Sequence, residues 1–263
     1  MKRLLFFATV LSLSLISVGS NLSALSPGDD DSAEQTKCRK QSAANLRQLV
    51  IAMHNYHNDY NCMPPHAIYD QTGKKPLLSW RVAILPYLEP HRDMDALYKR
   101  FKMDEPWDSD NNKALVKDMP KIFAMPGVKG EPGMTHYQVF TMPLNVPAGK
   151  KGTYMPMFSL SRSKLTLGQL TVQDGTSNTI CIAEATNPVA WTKPSDLNWE
   201  HDDAPLPKLG IRPGTDEFQV AFADGSVRGI TKKIDDMDKY TSLMKQLIGR
   251  RDGMNEDVSP IVK

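Results

Sequence analysis

Apolar positions along this chain fall into three patterns. The first is a near-continuous run from Leu4 to Val18, broken only by Thr9, Ser12, Ser14 and Ser17. The second has helical spacing. Leu46, Leu49, Val50, Met53, Tyr56 and Tyr60 fall on one face of a segment that carries Arg47, Gln48, Asn55 and Asn58 on the other. This predicts a long amphipathic helix from Lys37 to Tyr60, ended by Asn61-Cys62-Met63-Pro64-Pro65 because proline cannot continue it. The third is strand-like, alternating across Phe218–Phe222, with a β-like stretch at His136–Met142 and a strand after a tight turn at Thr179–Ala185.

Shorter elements fill the remainder. The dense apolar block Ser79–Leu88 predicts a short helix, kinked at Pro86, that runs on into Asp93–Phe101. Asp108 or Ser109 is placed to cap a further helix toward Met119, and Lys121–Ala124 reads as β-like. Asp224-Gly225 between Phe218–Phe222 and Ser226–Ile230 predicts a hairpin with a type I′ turn. A last helix over Asp235–Ile248 carries Met237, Tyr240, Leu243, Met244 and Leu247 on its apolar face. Helices come first and antiparallel strands later, with no internal repeat. The expected class is α+β, with the long N-terminal helix laid across an antiparallel sheet and additional short helices.

The first apolar run changes the count of domains. Lys2-Arg3 precedes it, and Val18-Gly19-Ser20 and Ala24-Leu25-Ser26 offer small residues for cleavage. Residues 1–26 therefore read as a secretory signal peptide. The run is shorter than the roughly 20 residues that span a bilayer, so no stable membrane span is expected after cleavage. Residues 27–36 read as a flexible acidic leader, 37–250 as one globular domain and 251–263 as a C-terminal tail. The protein is expected to be exported, periplasmic or extracellular.

Charge and cysteine content narrow the partners. The chain of 263 residues has a formal charge of +2. Removing Lys2 and Arg3 with the signal leaves 30 basic side chains against 30 acidic ones. Without a clustered basic surface, nucleic acid is not an expected partner. The cysteines are Cys38, Cys62 and Cys181. About twenty helical residues span about 30 Å, which sets Cys38 and Cys62 too far apart for a disulfide across a continuous helix.

Candidate chemistry is sparse. Trp191, Lys193 and Trp80 are the expected ligand-binding residues, because Trp191-Thr192-Lys193-Pro194 has the character of an exposed loop and tryptophans line solute and sugar sites. Core packing is the competing role for these rings. Asp174, Thr176 and Asn178 supply oxygen ligands suited to calcium, against an Asp-Gly turn that bonds to its own backbone. His54 and His57 share a helix face but lack a third ligand. No Gly-x-Ser-x-Gly, His-Glu-x-x-His or phosphate loop occurs. Neither catalysis nor a cofactor is expected.

Several stretches taken together carry a resemblance. They are Asn45-Leu46-Arg47-Gln48, His54-Asn55-Tyr56-His57, Leu77–Val82, Leu85–Glu89, Asp104–Ser109, Asp174–Ile180, Trp191-Thr192-Lys193-Pro194 and Phe222–Arg228. In order and spacing, the set resembles a bacterial domain-of-unknown-function family. Its members include prepilin-type proteins, carry a C-terminal His-x9-Asp-Gly motif and are sometimes labelled solute-binding-like. The resemblance implies a pilin-like domain. This chain has the signal segment in place of the prepilin segment, and Gly214 where the family's histidine stands. Met125-Pro126-Gly127 occupies the place of a family Cys-Pro-Ser, which would leave Cys38 without the partner the resemblance implies. The leading expectation is a non-catalytic, pseudopilin-like interaction module at the cell envelope, with an envelope protein as partner. The alternative is an extracytoplasmic protein that binds a small solute or glycan.

Overall fold

The computed structural model describes residues 27–143, 148, 150–159, 164–210, 215–250, 253 and 256–263. The segment expected to be a signal peptide and Gly214 lie outside them. The fold is α+β. Helix α1 (Pro27–Tyr60) begins ten residues before the expected start, so the acidic leader is the helix's first part. Ala33 to Lys37 are exposed all round, whereas Leu46, Leu49, Val50 and Met53 have no exposed surface. The helix meets the protein body at Cys38 and Ser42, both buried, before the predicted stripe begins at Leu46. The stripe fades at Tyr60, which is 56% exposed.

The stripe lies on a four-stranded antiparallel sheet of order β3 (Met134–Gln138), β6 (Ile180–Ala190), β8 (Glu217–Phe222) and β9 (Val227–Thr231). Polar bonds fix the helix in register. The Ser42 hydroxyl donates to Glu184 Oε1 at 2.5 Å and lies 2.8 Å from the Tyr137 hydroxyl. Glu184 Oε2 accepts the Gln219 amide at 3.0 Å. All three side chains, Ser42, Tyr137 and Glu184, are buried, where an unpaired polar group would cost about 1–3 kcal/mol.

Between α1 and the sheet the chain forms an antiparallel pair, β1 (Ala67–Tyr69) with β2 (Pro76–Ser79). Helix α2 (Trp80–Ala83) follows directly, capped by Ser79. A 3-10 turn over Leu85–Tyr87 accommodates Pro86 and gives the expected break, after which α3 (His91–Tyr98) begins. Ser109 caps α4 (Asp110–Ala114) by accepting the Asn112 amide. Lys121–Phe123 is a 3-10 turn, not β-like. Pro120 on one side and Gly127 at φ +76 on the other leave no room for an extended run.

A second, smaller sheet was not foreseen. Strand β4 (Phe140–Met142) runs parallel to both β5 (Phe158–Ser159) and β7 (Leu197–Asn198). Helix α5 (Leu167–Val172) starts with a capping box between Thr166 and Gln169. The Asp224-Gly225 hairpin forms with a different turn. The Gly225 amide donates to Phe222 O, and only Gly225 has positive φ, at +84. This is a type I turn followed by a glycine bulge, because Asp224 stays in the right-handed region. Helix α6 (Met237–Ile248) buries Tyr240, Leu243, Met244 and Leu247 as expected, but leaves Met237 exposed. The end of the expected tail belongs to the domain. Ile261 is buried, and its carbonyl accepts the Thr231 amide.

Candidate functional site

The residues singled out from sequence do not gather in one place. Trp80 and Trp191 have no exposed surface. Trp191 stacks on Phe123 with ring centroids 5.6 Å apart, and its indole N–H donates to Val116 O at 2.9 Å. The same carbonyl lies only 2.4 Å from where a Cβ on Gly133 would stand, so glycine is required there at φ +81. Trp80 donates to Asp196 Oδ1 at 3.2 Å. Both rings are core residues, and only Lys193 is exposed, its Nζ 5.3 Å from the Trp107 ring centroid. The loop-like sequence misled because a short loop can be pinned under a core indole.

The carboxylate beside Trp80 belongs to a buried ion pair. Arg81 Nη2 lies 2.7 Å from Asp196 Oδ1, and both side chains are fully buried. Arg81 also donates to Tyr137 O and Ser79 Oγ, and Asp196 Oδ1 takes the Val139 amide as well. Burial pushes the Asp196 carboxyl above its ordinary pKa, while the Arg81 charge and the donated bonds oppose that. This pair ties β2 and α2 to β3 and to the loop before β7.

The calcium candidates form a self-bonded turn. Asn178 Nδ2 donates to Asp174 O at 3.2 Å, and Thr176 O accepts the Asp224 amide at 3.0 Å. Asp174 Oδ1 accepts the Gly253 amide. His54 bonds to Ala223 O, and His57 Nε2 accepts the Leu167 amide, so the two imidazoles join separate elements. Among the described residues, no group of three His, Cys, Asp or Glu side chains is placed to hold a metal ion. No helix among them is long and apolar enough to cross a membrane.

A concave feature lies elsewhere, where α1 ends. Asn61 takes φ +52 and its amide donates to His57 O, closing the helix with a left-handed cap. Pro64-Pro65 then carries the chain away, and the Met63 amide is pinned to Leu165 O at 2.7 Å. A groove opens over β1 in two lobes that share Ile68 and Tyr69. One lobe, of about 280 Å³, is walled by Tyr56, Cys62, Met63 and Lys164. The other, of about 640 Å³, is lined by Asp70, Gln71, Thr72, Met103 and Asp104, with the Asp70 carboxylate bonded to Thr72 and to the Lys74 and Lys75 amides.

Tyrosines gather around this groove. Tyr56 packs on Tyr60 at 4.4 Å and edge-on to Tyr87 at 5.8 Å, and the Tyr87 hydroxyl donates to Asp59 at 2.8 Å. Burial, then the neighbouring Cys62 and tyrosines, pushes the Tyr56 phenol up to about 12. His66 lies just behind β1 against the Tyr69 ring, and burial lowers its pKa to about 4. These groups stay neutral near pH 7, so the charges in the groove are those of Lys164, Asp70 and Asp104. The arrangement supplies aromatic faces with a few polar groups at the ends, the usual make-up of a small-molecule site. In sequence, the only sign of it was that Tyr56 and Tyr60 extend the helix stripe beyond the body that covers it.

The comparisons agree with the resemblance seen in the motifs. No curated protein and no solved structure matches the chain. A family model described as "Protein of unknown function (DUF1559)", with the solute-binding-type short name SBP_bac_10, matches residues 38–207. That span runs from α1 through the groove and β7 and stops before the Asp224-Gly225 hairpin. The chain belongs to this family.

Proposed function

We propose that the protein is an exported, non-catalytic binding protein that takes a small solute or a glycan in the groove over β1. One observation carries this reading: the half-buried Tyr56 and Tyr69 line a concave, largely apolar surface with Lys164 at one lobe and the acidic residues Asp70 and Asp104 at the other. Rings of this kind pack against the apolar faces of a ligand, and the polar groups set its orientation. The non-catalytic part rests on the sequence, which carries no Gly-x-Ser-x-Gly, His-Glu-x-x-His or phosphate loop.

The test is calorimetric titration of the full chain against a panel of sugars and small solutes, repeated with Tyr69→Ala. Tyr69 lines both lobes, so its loss is expected to weaken any ligand at least tenfold. A panel without binding, or a ligand indifferent to Tyr69→Ala, would sink the reading.

The second reading is the pseudopilin-like interaction module at the envelope. It is favoured by α1, whose residues 33–37 project beyond the body while its second half is seated on a four-stranded antiparallel sheet. A photo-crosslinker at Gln35 that captures one envelope protein, when the same probe at Lys121 captures none, would support it. Equal labelling from both positions would count against it.

A further inference from the structure

Methionine is used unevenly in this fold. Most of it is core filler, but three methionines and a histidine wall one small cavity. It has about 210 Å³ and lies at the end of the main sheet opposite the hairpin, away from the tyrosine groove. Met119 and Met125 reach it from the segments on either side of the Lys121–Phe123 turn, and Met134 and His136 from β3. Both line the cavity, although the pairing of β3 shifts register between Thr135 and Tyr137.

His136 is held in the form a metal ligand requires. It is 6% exposed, and its Nδ1 lies 3.0 Å from Ala185 O. A carbonyl only accepts, so Nδ1 carries the ring proton. The neutral ring then leaves a lone pair on Nε2. A ring N–H donated to a backbone carbonyl is the support that metal-bound histidines usually have. Ala124, Val128, Gly130, Pro132 and Pro188 complete the wall without a donor side chain, and Glu131 adds one carboxylate.

We propose that this cavity binds one monovalent soft metal ion, Cu(I), through the thioether sulfurs of Met119, Met125 and Met134 and Nε2 of His136. Softness decides the metal class. Thioethers bind Cu(I) well and are poor ligands for zinc, calcium or magnesium. Thioethers and a neutral imidazole carry no charge, so the bound site is a single positive charge at a half-open cavity wall, with Glu131 at the same cavity to offset it. Filling gaps in a core is the ordinary use of methionine. Here the three residues line a cavity, and Met119 and Met134 are only partly buried.

The experiment is competition for Cu(I), kept reduced with ascorbate, between the full chain and the chromophoric chelator bicinchoninate. The expected result is one Cu(I) withdrawn per chain. Because Cys38 and Cys62 are free thiols that also bind copper, the Cys38→Ser/Cys62→Ser variant is titrated beside it and is expected to keep the ion. Met125→Leu/Met134→Leu, which nearly conserves volume, is expected to weaken binding at least tenfold with an unchanged denaturation midpoint. His136→Gln is expected to weaken it similarly. Three results would overturn the proposal: no copper taken from the chelator, copper lost with the cysteines, or equal affinity in the methionine variants.

Discussion

Trp80, Trp191 and Trp199 have no exposed surface, whereas the tyrosines gathered at the end of α1 keep part of each ring at the surface. Both groups are aromatic clusters, and both lie within the stretch that the family model covers. They differ in what their polar atoms do. Each indole N–H is committed to an interior acceptor, Asp196 for Trp80, Val116 O for Trp191 and Ala204 O for Trp199. Among the phenols, Tyr87 bonds outward to the exposed carboxylate of Asp59. A donor that ends on a buried acceptor holds the core together. An aromatic face left half-covered beside a groove is available to a ligand. The two regions should therefore respond to mutation in opposite ways, the core in stability and the groove in binding.

The largest effect should come from cutting the polar tie beneath the tryptophans. Asp196→Ala would leave the Arg81 guanidinium buried without its carboxylate, which typically costs about 3–5 kcal/mol. Trp191→Ala removes the ring stacked on Phe123 and should cost about 3–5 kcal/mol as well. Chemical denaturation measures both. A loss below about 1 kcal/mol in either variant would mean that the core absorbs the change, and the contrast between the two regions would fail.

A smaller effect should appear in acid. His66 is neutral and buried at the boundary between core and groove, with its pKa lowered from 6.5 to about 4 by burial. The unfolded chain takes up this proton at about 6.5, before the folded chain does. Stability from this group is therefore complete above pH 6.5 and is lost as pH falls toward 4. His66→Gln cannot take up that proton, so its stability should fall less steeply over this window than that of the parent. Parallel denaturation curves between pH 7 and pH 4 test it, and identical slopes would refute the assignment.

Much of the frame was legible in the sequence because it rests on local periodicity and caps. The α1 stripe, the Ser109 cap, the break at Pro86 and the Asp224-Gly225 hairpin depend on residues a few positions apart. The site was not legible, because it depends on long-range closure. Tyr56, Tyr69, Met103 and Lys164 meet only once Met63 is pinned to Leu165 and β1 pairs with β2. The Arg81–Asp196 pair spans 115 positions and leaves no local trace. The tryptophans were read as ligand residues from their chemistry and the loop-like context of Trp191, with core packing as the competing role, and burial puts them in the core. The parallel pairing of β4 with β5 and β7 escaped notice because β5 and β7 are only two residues long.

The smallest effect is expected at the groove itself, and it separates a binding surface from a structural one. Tyr56→Phe keeps the ring that packs on Tyr60 and Tyr87 and removes only the hydroxyl. Near pH 7 its stability should stay within about 0.5 kcal/mol of the parent, as for most changes that disturb no core packing. Alkali is where the hydroxyl matters. The Tyr56 phenol titrates near 12 in the folded chain against 10.0 for a free phenol, chiefly because burial disfavours the phenolate. The folded state thus holds this proton longer than the unfolded state. Its contribution to stability is full below pH 10 and disappears as pH rises toward 12. The phenylalanine variant should lose stability less steeply across that window, and absorbance titration should show one fewer late-ionising tyrosine. Tyr87, Tyr98 and Tyr240 are raised by burial as well, so the count decides: if Tyr56→Phe has as many late-ionising tyrosines as the parent, the ring at the groove ionises like an exposed one. The groove would then be an open surface that any solvent-facing tyrosine could form, and its claim to be a ligand site would rest on Tyr69 alone.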